Sequence, residues 1–198
     1  MSNGQVAVIA TDAGPHLWWL ASRAAGIVAL ILSSVSVSAG LLMGGRVRKV
    51  RGTDLRVAHE ALSLATLAAI AVHGLTLVGD GFLKLSLADV SLPLASSYKT
   101  FWTTTGIVAF WALALLGLSY YARTSIGAQR WRMLHRFTAL AWVLGLAHSL
   151  GEGTDAGQTW YLAMTAIVAV PALALLATRL LSSRKPSAPP ARPIPRTE

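Results

Sequence analysis

The chain contains no cysteine among its 198 residues. Disulfides, iron–sulfur clusters and thiolate metal sites are thereby excluded, and cysteine usage leaves the redox compartment open. Charge is also scarce. Only 13% of the residues are charged, against about 25% in an average soluble domain. The long apolar runs carry no carboxylate near their middles, which removes the usual equipment of an intramembrane proton relay. A basic leader is missing as well. The opening segment MSNGQVAVIATDAGPH has no Lys or Arg, so the first apolar run reads as a retained helix. The small-residue stretch VSVSAG within it is not expected to be a signal-peptide cleavage site.

Apolar sequence is what the chain has in abundance. It is 54% hydrophobic and has a positive mean hydropathy. A bilayer crossing needs roughly 20 mostly apolar residues, and five windows approach or exceed that length: 17–43, 55–78, 101–122, 133–150 and 158–181. The expectation is an all-α integral membrane bundle of five transmembrane helices.

The formal net charge of +9 sets the orientation of these spans. The N-terminus and the loops after the second and fourth spans hold Arg23, Lys84 and Lys99. The opposite side holds Arg46, Arg48, Lys49, Arg51, Arg56, Arg123, Arg130, Arg132, Arg136, Arg179, Arg184, Lys185, Arg192 and Arg196. Lys and Arg accumulate in cytoplasmic loops, so the N-terminus is expected outside and the C-terminus in the cytoplasm. The setting is then the inner (plasma) membrane, where these charges also favour anionic lipid heads. No basic soluble domain is present to bind nucleic acid.

Three segments follow: an external stretch 1–14, a membrane domain 15–182, and a basic proline-rich cytoplasmic tail 183–198 too poor in apolar groups to pack. The longest external loop, Gly79 to Thr100, contains FLKLSLADVSLPL. That pattern fits either a short amphipathic helix or extended chain on the outer surface, and the loop could cover a site there.

Five histidines are present: His16, His59, His73, His135 and His148. His16 precedes the first span beside Trp18 and Trp19 and reads as interfacial. The other four lie inside spans, where ionisable groups are costly and mark function. The second and fourth spans run in the same direction. His59 and His135 therefore share a depth near the inner face, and His73 and His148 share one near the outer face. At 1.5 Å per residue the two levels are roughly 20 Å apart.

Any one of these rings alone reads as an interhelical hydrogen-bonding group. Four at two matched depths point instead to paired metal ligands. Neutral imidazole is a common metal ligand, and two facing imidazoles can take both axial positions of a haem iron. Zinc or copper would call for additional ligands nearby. One geometric detail stands out. Fourteen residues of ideal helix return to within about 40° of the starting face, but the thirteen from His135 to His148 land about 140° away. Either the fourth helix is distorted, with Gly145 the candidate place, or the two groups are offset sideways.

The pattern H-x13-H on one helix and H-x12-H two helices later, the second within RWRMLHRFTALAWVLGLAH, resembles the ferric-reductase-like transmembrane domain over roughly residues 17–180. That superfamily includes ferric reductases, the membrane part of NADPH oxidases and the haem subunit of a periplasmic methionine-sulfoxide reductase. The resemblance implies haem b, two groups or one, with His59 and His135 on an inner haem and His73 and His148 on an outer one. Three departures are visible: five spans where six are usual, no flavin or nicotinamide domain, and an inner histidine (His59) that the methionine-sulfoxide reductase subunit typically lacks. A separate donor, either a flavoprotein reductase or a quinol, is therefore expected.

The resemblance thus implies an oxidoreductase component that passes electrons to an outer acceptor: a ferric complex, oxygen or an exported redox partner. The alternatives are a single-haem membrane anchor of a periplasmic reductase, or a non-redox transporter or assembly factor. Arg23, Arg56, Arg132 and Arg136 are candidate contacts for anionic haem propionates. Positive-inside charge is the simpler account of the last three, and snorkelling an equal account of Arg23. Trp131 reads as packing at the inner site or anchoring the interface, Tyr120 and Tyr121 as belt residues. Glu60 is adjacent to His59 but expected to point to a different face.

Overall fold

The computed structural model describes residues 14–44 and 53–182. The expected tail 183–198, most of the external segment 1–14, and the basic cluster Arg46, Arg48, Lys49 and Arg51 lie outside these residues. The described chain is helical throughout: α1 (Gly14–Gly44), α2 (Thr53–Val78), α3 (Leu87–Ser91), α4 (Thr100–Leu118), α5 (Arg123–Ile126), α6 (Ala128–His135), α7 (Thr138–Glu152) and α8 (Thr159–Ser182).

Four of these, α1, α2, α4 and α8, are long and apolar enough to cross a bilayer. The protein is a multi-pass membrane protein in a lipid environment. Its surface agrees with that setting, since Leu75, Leu115 and Ile167 are all well exposed. Single exposed apolar residues are ordinary in water, but here they cover the long helices.

The fourth expected span, 133–150, is not one helix. α6 ends at His135 and α7 begins at Thr138. Across the join, Phe137 N–H bonds to the Leu134 carbonyl and Ala139 N–H to that of Arg136, both three residues back in place of four. The Thr138 hydroxyl closes the break by donating to the His135 carbonyl at 2.7 Å. A distortion is therefore present, but it falls at Arg136–Phe137 and not at Gly145. With the break between them, both His135 and His148 meet rings on α2.

Helix packing follows from small residues. α1 lies along α2, and α4 along α7, while α1 also meets α7 and α8. The buried face of α1 comprises Ser22, Ala29, Leu30, Ser34, Ser36 and Ala39, side chains short enough for close backbone approach. α8 presents Tyr161, Thr165, Ala169 and Ala172 in the same manner. At the centre, Trp142 is 1% exposed and donates its indole N–H to Ser34 Oγ at 3.2 Å. Around it pack Leu30, Leu146, Tyr161, Ala169 and Ala172.

The loop between α2 and α4, expected on the outer side, consists of turns around the single short helix α3. Ser86 caps it, accepting from Asp89 N–H while Asp89 accepts from the Ser86 backbone, a reciprocal capping box. Trp111 Nε1–H on α4 bonds to the Ser91 carbonyl at 2.8 Å, which fastens the loop to the bundle.

Candidate functional site: two facing histidine pairs

His59 on α2 faces His135 at the end of α6, with ring centres 6.3 Å apart. His73 on α2 faces His148 on α7, again at 6.3 Å. All four sequence-derived ligand candidates are brought together in the expected pairs.

Each ring is fixed through Nδ1 by a backbone carbonyl of a neighbouring helix. His73 Nδ1–H donates to Ser22 O at 2.8 Å, His59 to Ser36 O at 2.9 Å and His148 to Trp102 O at 2.9 Å. His135 makes the same bond to Leu116 O at 3.4 Å. A carbonyl can only accept, so Nδ1 carries the hydrogen and the Nε2 lone pair is left available. Ligand histidines in metal sites are held in this way, with the second nitrogen bonded to a carbonyl or carboxylate.

Glycine makes the approach possible at three of the four rings. One turn beyond each accepting carbonyl lie Gly26, Gly40 and Gly106. A Cβ would stand 3.1 Å from His73 Nδ1 at the first, 3.1 Å from His59 Cε1 at the second and 2.6 Å from His148 Nδ1 at the third. Ser22 and Ser36 add their hydroxyls, 2.9 and 3.1 Å from the same Nδ1 atoms. Ser36 also meets Ser63 at 2.9 Å, and Ser63 donates to the His59 carbonyl at 2.8 Å.

These supports have a sequence signature: S-x-x-x-G occurs at 22–26 and again at 36–40. The fourteen-residue interval equals the one between His59 and His73, which lie on the partner helix. His135 departs from the rule, because Tyr120 stands where a glycine would. Its ring instead stacks on Trp131 at 4.9 Å and 27°, and Trp131 packs in turn on Tyr120.

The proposed supporting residues fare unevenly. Arg23 is bound by Asp155 through Nε at 2.5 Å and Nη2 at 2.7 Å, and lies between the rings of Trp19 and Trp160. It ties α1 to the loop before α8 and borders a cavity of about 460 Å³ that also contains His73 and His148. Leu83, Leu85, Leu87 and Val90 of the loop between α2 and α4 line the same cavity as the His73–His148 pair. Arg56, Arg132 and Arg136 are exposed, the last two on the rim of an open depression around α5 and α6. Glu60 accepts from the Tyr121 hydroxyl at 2.7 Å, away from the ring of His59. Outside the membrane span, that bond raises the Tyr121 pKa above its ordinary value. His16 is exposed.

The paired rings would suit a metal ion held between two imidazole nitrogens. A metal bonded to two imidazole nitrogens at about 2.0–2.1 Å separates the ring centres by roughly 6 Å, which both pairs match. Among the described residues, no cluster of three or more His, Cys, Asp or Glu side chains is arranged to hold a metal ion. The ligands come as pairs.

The chain is a helical multi-pass membrane protein in which four histidines form two facing pairs. Residues 25–146 match the family model described as ferric reductase like transmembrane component. The chain belongs to that family, whose domains typically bind haem, and its function lies in membrane electron transfer. The match includes His59, His73 and His135, while His148 lies two residues beyond it. Comparisons with curated proteins and with solved structures gave no match.

Proposed function

We propose that the chain holds two haem b groups and conducts electrons across the inner membrane from the cytoplasmic side to the outer face. His59 and His135 would hold the inner haem, and His73 and His148 the outer. When bound, haem supplies one-electron redox chemistry. The chain supplies four oriented Nε2 atoms, an apolar surround and a covered outer cavity.

The observation that carries this reading is the repeated 6.3 Å separation of facing rings, with every Nδ1 already bonded to a carbonyl. α7 is only 15 residues long, about 22 Å at 1.5 Å per residue. With α6 it would make a fifth crossing, which would leave the two termini on opposite sides, the N-terminus outside and the C-terminus inside. Basic residues on the α5–α6 side support that orientation. The donor is a separate flavoprotein reductase or a quinol, and the acceptor a ferric complex, oxygen or an exported redox partner.

The test is the absorption spectrum and haem content of the purified protein. Two b-type haems per chain are expected, with one lost in each of His59→Ala, His135→Ala, His73→Ala and His148→Ala. One haem per chain would favour the single-haem anchor of a periplasmic reductase. Colourless protein would favour a non-redox membrane protein.

A further inference from the structure

Of the four paired histidines, His148 alone has a carboxylate against its ring among the described residues. Glu152 follows it by one helical turn, which sets the two side chains on one face of α7. Glu152 Oε2 lies 3.2 Å from His148 Nδ1. Its other oxygen, Oε1, accepts from the Thr103 hydroxyl at 2.7 Å. The Thr103 bond and burial hold the carboxylate, whose side chain is 16% exposed, while Oε2 is buried with no hydrogen-bond partner. Lys99 Nζ–H reaches the Glu152 backbone carbonyl at 3.3 Å, which pins the end of the helix. The Nδ1–H of His148 is donated to Trp102 O, and the Glu152 carboxylate stands beside the same nitrogen.

The contacts of the other three rings are different. His73 and His59 meet only serine hydroxyls and carbonyls at Nδ1, and His135 a carbonyl at 3.4 Å. A negative charge beside Nδ1–H pushes electron density toward Nε2 and makes the imidazole a more basic ligand. A more basic ligand stabilises the oxidised metal over the reduced one. The buried position strengthens this, because the charge acts through little solvent.

We infer that Glu152 is a positioning residue that lowers the reduction potential of the outer centre by acting through His148. This rests on the haem reading above and deepens it. Among the described residues the inner pair has no counterpart to Glu152, so its effect falls on the outer centre alone. That contribution makes delivery of an electron from the outer site to an acceptor easier and its transfer from the inner site to the outer one harder.

The test is a spectroelectrochemical titration of the haem-loaded protein in detergent, comparing wild type with Glu152→Gln and Glu152→Asp. Glutamine keeps the length of the side chain and an oxygen for Thr103, and replaces the carboxylate oxygen beside His148 with a neutral amide nitrogen. The expected result is a shift of one of the two reduction steps to more positive potential in Glu152→Gln. Glu152→Asp should restore it in part. In a His59→Ala background, which retains only the outer centre, the shift should persist; in a His73→Ala background it should vanish. Unchanged potentials in Glu152→Gln at full haem content would overturn the inference and leave the haem reading standing. So would equal loss of the outer haem in Gln and Asp variants, which marks a purely steric role. Wild-type protein without a b-type spectrum would remove both.

Discussion

Gly106 lies beneath the His148 ring so closely that a Cβ there would stand 2.6 Å from Nδ1. That atom is bonded to the Trp102 carbonyl one turn earlier on the same helix. A methyl group at position 106 must push the ring off its acceptor or push α4 away from α7. Gly106→Ala is therefore expected to lose the outer haem and keep the inner, leaving about half the b-type absorbance per chain, since a ligand held without its second-nitrogen partner binds metal poorly. Gly26→Ala and Gly40→Ala, where the approach is 3.1 Å, should weaken retention at the outer and inner pair respectively, and less severely. Gly117→Ala is the control, because nothing lies within 4 Å of a Cβ there. Full haem in Gly106→Ala would show that the ring does not need the notch.

Trp142 offers a prediction about stability. It is almost fully enclosed and packs between α1 and α8 residues. Trp142→Ala should cost about 3–5 kcal/mol, the usual range for removing a large buried aromatic. Trp142→Phe keeps most of the volume and loses the bond to Ser34 Oγ, worth about 1 kcal/mol. Ser34 retains its own bond to the Leu30 carbonyl at 2.7 Å, so no orphaned hydroxyl adds to that figure. Thermal midpoints of the detergent-solubilised protein should rank wild type, Phe and Ala in that order. An Ala variant as stable as the Phe variant would contradict the packing role.

Much of this was legible in the sequence, and the reasons are physical. Run length is dictated by bilayer thickness, so four spans fall where apolar windows end. Helix parity and spacing were enough to pair His59 with His135 and His73 with His148. The break at Arg136–Phe137 was not legible, because neither residue is glycine or proline and its cause is a change of surroundings. α6 carries Gln129, Arg130 and Arg132, whereas α7 begins the apolar run. The Arg23–Asp155 pair was hidden for a different reason: 132 positions separate its partners, and no local pattern joins them. The two S-x-x-x-G segments could have been read, since their fourteen-residue interval repeats that of the histidines. Small residues are so common in membrane helices that only the facing rings reveal their use.

The outer loop has a pH dependence with a definite sign. Asp89 is held below the ordinary aspartate pKa, chiefly by the Ser86 hydroxyl and then by its backbone N–H. A group whose folded pKa is depressed stabilises the fold above its unfolded pKa, and that contribution is lost as pH falls through the lower, folded value. Acid should therefore loosen the turn at Ser86–Ser91 while the bundle stays intact. Amide hydrogen exchange of this segment, compared at neutral and strongly acidic pH, is the measurement. Asp89→Asn should exchange fast at both, and a wild-type loop equally protected across the range would rule out a role for the capping box.

His135 is the least secured of the four rings, and the inner centre should be the more labile for that reason. Its carbonyl bond is long at 3.4 Å. No glycine notch receives it, and it is the last residue of α6 before the break. Stacking on Trp131 takes the place of the anchoring that the other rings obtain from their helices. Local opening follows the stability of the segment around a residue, and an eight-residue helix is a weaker support than α4 or α7. Haem release on gradual warming in detergent is expected in two phases, the faster from the inner pair. In His59→Ala the fast phase should be absent, and in His73→Ala only the fast phase should remain. Trp131→Ala should accelerate the fast phase several-fold and leave the slow one alone, since about 0.5–1.5 kcal/mol of ring–ring interaction is removed. A single release phase in wild type, or acceleration of both phases by Trp131→Ala, would mean that the two sites hold their ligands equally well.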